Sequence, residues 1–330
     1  MISVVMPFHN ARETIAEAVD SIKAQTVRDW ELVAVDDGST DGSAELVREF
    51  ARRDERIRLV QRRHEGIVAA LRAGCDRARG ELIARMDADD RSMPERFGAQ
   101  RELLRLRPEV GLCGTHVRMF GERVGSGRRE YEAWLNNLTG TEKIERDIYI
   151  ECPIAHPAFL MRREVYEEVG GYRERGWPED YDLVLRVRES GWKLANVGRV
   201  LLEWRESGER LSMRSDRYSA EAFRALKREF LWREFLAGDP PFLQWGAGQV
   251  GKRWLREWPE GRRPEAVIDV SEKKIGSRIH GVPVIAPEAI PVAGKYRIVA
   301  AVGAPGAREL IRDFLRRKNY RESRDFRMLA

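Results

Sequence analysis

Two short acidic runs, Asp36-Asp37-Gly38-Ser39 and Asp87-Ala88-Asp89-Asp90, hold the residues best suited to chemistry. Each follows an apolar run of strand length, Leu32 to Val35 in one case and Leu82 to Met86 in the other. Ligands of open α/β sheets bind beyond the carboxyl ends of the strands, so two acidic clusters far apart in sequence would converge on one edge. Crowded carboxylates repel and need a counter-charge. Mg²⁺ or Mn²⁺ suits them, because such hard ions accept one or two carboxylates and complete their shell with phosphate oxygens and water. The pattern points to a nucleoside diphosphate held through a metal. Taken alone, Asp36, Asp37 and Asp41 would equally serve a turn and a helix start, where Asp, Gly, Ser and Thr are ordinary residues.

The elements needed to position these groups are legible around them. From Met1 to about residue 115, Ile2 to Met6, Leu32 to Val35, Ile57 to Val60 and Leu82 to Met86 read as strands alternating with amphipathic helices, the rhythm of an α/β fold. Asn10 with Glu13 resembles a capping box before a helix running to about Gln25; Ser43 to Ala51 and Ile67 to Arg77 give two more helices, and Pro94 sits where a first-turn proline would open another. Residues 120–150, rich in glycine and asparagine, read as a mobile loop or insertion. Beyond them come a strand near Ala158 to Met161, a helix from Arg163 to Val169 closed by Gly170-Gly171, and a helix from Glu179 to Glu189 closed by Gly191. Phe223, Leu226, Phe230 and Leu231 mark an amphipathic segment leading to Gly238-Asp239-Pro240-Pro241, the expected domain break.

Composition narrows the class. The 330 residues carry 59 Lys and Arg against 54 Asp and Glu, a net charge of +5 that is too small a surplus to indicate nucleic acid. Cys75, Cys113 and Cys152 are widely spaced and odd in number, which suggests neither a disulfide framework nor zinc. No apolar run approaches the roughly 18 residues that span a bilayer, and the opening Ile2-Ser3-Val4-Val5-Met6 lacks the features of a secretory signal. The expectation is a cytoplasmic protein, with peripheral contact at the inner face of a membrane as the most that its basic runs suggest.

Ser3-Val4-Val5-Met6-Pro7-Phe8-His9-Asn10, Ser21-Ile22-Lys23-Ala24-Gln25-Thr26, Val35-Asp36-Asp37-Gly38-Ser39-Thr40-Asp41 and Arg85-Met86-Asp87-Ala88-Asp89-Asp90 together resemble family 2 glycosyltransferases. The resemblance continues through Gly170-Gly171-Tyr172 and Pro178-Glu179-Asp180-Tyr181-Asp182-Leu183, covering residues 1–212. It implies a GT-A fold and an inverting, metal-dependent enzyme of hexosyltransferase type. Such an enzyme moves a sugar from a nucleoside diphosphate, UDP above all, to a saccharide or lipid-linked acceptor in surface polysaccharide or glycolipid assembly. Carried onto this chain, Pro7, His9, Asp37, Asp87 and Arg205 would bind the donor. Asp37 would meet the base, Asp87 the ribose side, and His9 would replace an aromatic residue that stacks on the base. Asp89 of the DXD motif would ligate Mn²⁺ or Mg²⁺, with Asp90 as a second choice. Asp180 would be the general base, its carboxylate taking the acceptor hydroxyl's proton; as charges following Pro178, Glu179 and Asp180 would equally serve a helix N-terminus. His156 is either a site-lining residue or a hydrogen-bonded core histidine. The family's Arg-x-His reads Trp204-Arg205-Glu206-Ser207 here, so histidine is absent and Arg205 is left as a phosphate partner, with water as the replacement ligand.

The last third lies outside the resemblance. Phe242-Leu243-Gln244-Trp245 leads into Gly246-Ala247-Gly248-Gln249-Val250-Gly251 and then a helix, with Asp269 ending the next strand, a dinucleotide fingerprint. Glycines there permit a tight turn and close approach of a pyrophosphate, so a second nucleotide at Gly246, Gly248, Gly251 and Asp269 stands beside a purely structural role. The expected organisation is a GT-A domain over 1–212, a helical linker over 213–241 and a smaller Rossmann-like α/β domain over 242–330. Two rivals to the transferase are a nicotinamide-linked oxidoreductase or sensor centred on Gly246 to Gly251, and a non-catalytic sugar-nucleotide-binding protein.

Overall fold

A computed structural model of the chain describes residues 1–122, 124–206 and 215–330. The first half runs β1 (Ile2–Phe8), α1 (Ile15–Lys23), β2 (Trp30–Asp36), α2 (Ser43–Arg53), β3 (Ile57–Gln61), α3 (Ile67–Arg77), β4 (Leu82–Arg85), β5 (Arg91–Ser92), α4 (Arg96–Leu106) and β6 (Val110–Phe120). Then follow α5 (Ser126–Asn137), α6 (Thr141–Asp147), β7 (Leu160–Arg162), α7 (Arg163–Glu168), α8 (Glu179–Glu189) and β8 (Lys193–Arg205). The remainder is α9 (Ala220–Arg233), β9 (Phe242–Trp245), α10 (Gln249–Glu257), β10 (Ala266–Ile268), β11 (Arg278–Ile279), β12 (Val282–Ile285), β13 (Arg297–Ala300), α11 (Ala307–Arg317) and β14 (Phe326–Met328).

Every residue of β1 and β2 is buried, as strands covered by helices on both faces require. They anchor a mixed eight-stranded sheet in the order β3-β2-β1-β4-β7-β6-β8-β5. Its first four strands pair in parallel, and β7 is antiparallel to both β4 and β6. Val4, Met6, Ile15, Val19, Ala34 and Phe97 belong to one core under it. Two expectations at the helix starts change. Asn10 is no cap: it takes φ 51° and its side-chain oxygen accepts the Thr40 N–H, tying the end of β1 to the turn after β2. Pro94 precedes α4 rather than opening it, with Glu95 at the N-cap and the Pro94 carbonyl accepting the Thr26 N–H.

The stretch 120–150, expected to be a mobile loop, holds α5 and α6 instead. Leu135, Leu138, Ile144 and Ile148 are buried there at helical spacing. Asn136, which reads as a loop residue, clamps the Val117 backbone, accepting its N–H at 2.9 Å and donating to its carbonyl at 2.8 Å. The helix expected to continue through Val169 ends at Glu168, and Gly170 and Gly171 take the left-handed conformation that closes it.

The chain divides into two compact units, one of residues 1–144 and 152–219, the other of 145–151 and 220–330. The expected boundary at residue 212 falls outside the described residues. Helix α9, expected within a linker, belongs to the second unit, where Leu226, Phe230 and Leu231 are buried and Lys227 donates to the carbonyls of Ile150 and Leu329. That unit has a six-stranded sheet in the order β11-β12-β10-β9-β13-β14, parallel except for the β11–β12 pair. Its core is separate and includes Leu243, Ile268, Ile298 and Phe326. Among the described residues, no helix is long and apolar enough to cross a membrane.

If α5 is a packed element, Leu135→Ala should lower unfolding free energy by about 2–5 kcal/mol, the cost of emptying a buried leucine site. Chemical denaturation measures this, and a change within about 0.5 kcal/mol, the usual range for surface substitutions, would return the segment to a loop.

Candidate active site

Strand register fixes where the acidic runs emerge. Phe8 lies opposite Asp36 and Val5 opposite Arg85, so the segments after β2 and β4 leave the sheet on either side of β1 at its carboxyl edge. Pro7 is buried in β1 and pairs with Val35. Asp37 is 4% exposed; its two carboxylate oxygens accept the backbone N–H groups of Glu65 and Gly66 at 3.0 and 2.9 Å. His64 Nδ1 lies 3.0 Å from the same carboxylate, and His9 Nδ1 lies 2.9 Å from the Asp37 carbonyl oxygen. The two imidazoles approach with centroids 4.3 Å apart, forming an aromatic surface in which His64 had no expected part. Asp36 and Asp41 do serve turns: they accept the N–H groups of Ser39 and Ser43 at 2.8 and 2.9 Å.

After β4, ligand atoms of Asp87, Asp89 and Asp90 all lie within 4.8 Å of one another. The buried Arg85 pairs with Asp87. Burial opposes the Arg85 charge, but Asp87 reverses that effect and holds the guanidinium above its ordinary pKa. Arg96 sits beneath, donating to the Arg85 carbonyl at 2.8 Å, and burial pulls its own pKa down to about 9. Asp90 is buried and accepts the Arg205 N–H at 2.7 Å. The Arg205 guanidinium, expected to meet a phosphate, donates to the Asp89 carbonyl at 2.7 Å and to Glu17 at 2.6 Å, and lies over the Phe120 ring. Arg205 therefore braces the acidic turn. The donor set is all carboxylate and partly solvent-facing, which fits a hard divalent cation.

Glu179 and Asp180 open α8. Glu179 is 1% exposed and accepts the Tyr218 hydroxyl on both oxygens at 2.9 Å, with Arg217 at 3.9 Å. Burial raises its pKa against the lowering effect of Tyr218 and Arg217. His156 Nδ1 lies 3.7 Å from Glu179, and its Nε2 is 2.8 Å from the Tyr172 hydroxyl. Burial and the nearby Arg85 push the His156 pKa well below its ordinary value, so it is a neutral, hydrogen-bonded histidine. Asp180 is half-buried and accepts the Tyr181 N–H at 2.8 Å, whereas Asp182 is committed to Arg186 and Trp177. Arg85 thus pairs with Asp87 and acts electrostatically on Glu179 and His156. An arginine within an apolar strand end was its one sequence signal; Arg217 and Tyr218 had none.

In the second unit, Gly246, Gly248, Gly251 and Asp269 gather around a cavity of about 620 Å³. Asp269 accepts the Ala247 N–H at 2.8 Å and the Ser271 N–H at 2.9 Å, with Lys274 at 3.3 Å.

Comparison with known proteins fits this geometry. The glycosyl transferase family 2 model matches residues 3–170. The putative glycosyltransferase EpsE of Bacillus subtilis is 31% identical over 225 residues, which cover 67% of this chain and 78% of that protein. The amylovoran biosynthesis glycosyltransferase AmsE of Erwinia amylovora is 30% identical over 65% of this chain and 79% of its own length. Among solved structures, S. aureus TarS bound to UDP-GlcNAc superposes with a TM-score of 0.56 at 20% identity, over 72% of this chain and 67% of that one. The mannosyltransferase PcManGT of Pyrobaculum calidifontis, in complex with GDP-Man and Mn²⁺, gives 0.51 at 22% identity over 71% and 62%. The matched segment contains β1, the turn after β2 and the acidic cluster after β4, and the chain belongs to glycosyl transferase family 2.

Proposed function

We propose that this chain is a metal-dependent, inverting glycosyltransferase of hexosyltransferase type that moves a sugar from a nucleoside diphosphate, with UDP the expected nucleotide, to an acceptor hydroxyl. The observation that carries this reading is the Asp87, Asp89 and Asp90 cluster on the edge that also bears Asp37 and His9. A fold neighbour is in complex with GDP-Man and Mn²⁺, which supports a divalent cation here. The amylovoran biosynthesis relative supports polysaccharide assembly as the setting; the acceptor in this reading is a saccharide or lipid-linked hydroxyl in surface polysaccharide or glycolipid assembly, with the enzyme working in the cytoplasm, at most peripheral to the inner membrane face. The activity, expected from residues 1–212, is assigned to the unit of residues 1–144 and 152–219.

His9 and His64 offer ring surface to the base, and Asp37, through lone pairs left by Glu65 and Gly66, accepts its N–H. Asp87 faces the ribose side. Asp89, seconded by Asp90, would hold Mn²⁺ or Mg²⁺, which supplies positive charge opposite the departing diphosphate. Asp180 orients the acceptor hydroxyl and takes its proton as that oxygen bonds to the anomeric carbon and the bond to the diphosphate oxygen breaks. A single displacement inverts the anomeric centre. Glu179, with its carboxyl held by Tyr218, keeps the start of α8 in place.

Asp89→Ala should leave the fold intact and abolish metal-stimulated release of UDP from donor; wild-type turnover in that variant would sink the metal assignment. Asp180→Asn should keep UDP and metal affinity while transfer falls by roughly 10² or more, the scale of a lost general base. If donor affinity collapses in parallel, Asp180 is a binding residue.

A further inference from the structure

The cavity in the second unit lies where its topology reverses. Strands β9 and β13 are parallel neighbours, and the chain proceeds from β9 outward through β10 and β12 on one side before returning to β13 on the other. The turns after both strands, Gly246–Gly251 and Ala301–Ala304, line the cavity. A crevice outside the carboxyl ends of two strands that diverge in this way is the place where open parallel sheets bind ligands.

The three glycines of the first turn are not equivalent. Gly246 has φ +113°, and a Cβ there would stand 2.6 Å from the Ala301 carbonyl oxygen; a Cβ on Gly251 would collide with the Gly246 carbonyl. Both are required by the fold itself. Gly248 is required by neither conformation nor packing: its φ −81° and ψ −171° suit any residue, and a Cβ there meets no atom within 4 Å. It lines the cavity and is the N-cap of α10, a position where Ser, Asp or Asn would serve the helix better. What a bare backbone provides there is room for something outside the chain to come close. The first turn of α10 contains no acidic residue, and its leading N–H groups have no intrahelical acceptor, so the approaching group should be anionic.

The rest of the wall sets the ligand class. Asp269 spends its carboxylate on Ala247, Ser271 and Lys274, fixing the turn. Arg317 adds a cation and Glu288 a carboxylate to the lining, and Leu310, 73% exposed, Val270 and Phe314 are among its apolar members. We propose that this cavity is a second nucleotide site, distinct from the transferase reading, which takes a nucleoside diphosphate with its phosphates at Gly248–Gly251 and its base against Leu310 and Phe314. That chemistry is shared by a nicotinamide dinucleotide and by a sugar nucleotide, and about 620 Å³ is room for either.

The test titrates the full chain with NADH, UDP and GDP in EDTA, following hydrogen exchange of the amides of 246–254 as the local readout. At least one probe should bind with Kd below about 100 μM and slow exchange there; response to NADH alone identifies a dinucleotide, and response to UDP or GDP a sugar nucleotide. Gly248→Asp gives α10 a favoured cap while placing a negative charge in the phosphate path. It should keep or raise Tm and weaken binding at least about tenfold. Should that variant fold poorly, Arg317→Glu on the exposed rim is expected to weaken the same probe. Protection confined to 37–90 would place the nucleotide in the transferase site only, and absence of protection at 246–254 with every probe at about 1 mM, or unchanged affinity in the folded variants, overturns the proposal.

Discussion

Three carboxylates with ligand atoms within 4.8 Å of one another are the constraint around which the first unit is built. At that spacing each pair of like charges costs on the order of 3 kcal/mol at an effective dielectric of ~20. A folded chain tolerates such a turn only if its surroundings hold it, and several elements contribute. Arg85 pairs with Asp87 from inside the sheet, Arg96 hydrogen-bonds the Arg85 backbone, and β8 presents Arg205, whose main chain binds Asp90 and whose side chain binds the Asp89 carbonyl. Two buried guanidiniums, Arg85 and Arg96, both act on Asp90 through space, and the all-carboxylate donor set suits an incoming cation and its diphosphate.

In the proposed site, the same parts connect the donor side to the acceptor side. Arg85 acts on Asp87 directly and on Glu179 and His156 through space. Glu179 is fixed by Tyr218, and the next residue is Asp180, so the proposed base sits on a helix start whose first turn is locked from beneath. Neutral His156, bonded to Tyr172, adds a rigid wall without adding charge.

Much of this was legible in the residues. Strands β1, β2 and β4 could be read because parallel strands inside a sheet are largely apolar runs, β3, an edge strand with Arg58 in its middle, from its place in the alternation, and the acidic turns because each begins where an apolar run stops. His64, Arg85, Arg217 and Tyr218 were not, since their roles depend on partners 27 to 40 positions away or on a charge buried inside a strand end. Residues 120–150 read as a loop because glycines open the segment and two asparagines lie within it, yet Asn136 is a backbone clamp for β6 and the apolar residues behind it are buried. Asn10 read as a cap because its spacing to Glu13 fits one; its left-handed backbone and its bond to Thr40 bind two strand ends instead.

The dependence of nucleotide affinity on the cation tests this view most directly. UDP would be titrated into the wild-type chain once with saturating Mn²⁺ and once with EDTA, with affinity read from hydrogen-exchange protection of residues 37–90, so that binding in the second-unit cavity does not enter. If the acidic turn is a half-site that needs a cation to accept a diphosphate, UDP should bind at least about tenfold more tightly with Mn²⁺, a difference of roughly 1.4 kcal/mol or more. Equal affinity in the two buffers would mean that Asp87, Asp89 and Asp90 do not hold a metal against the donor.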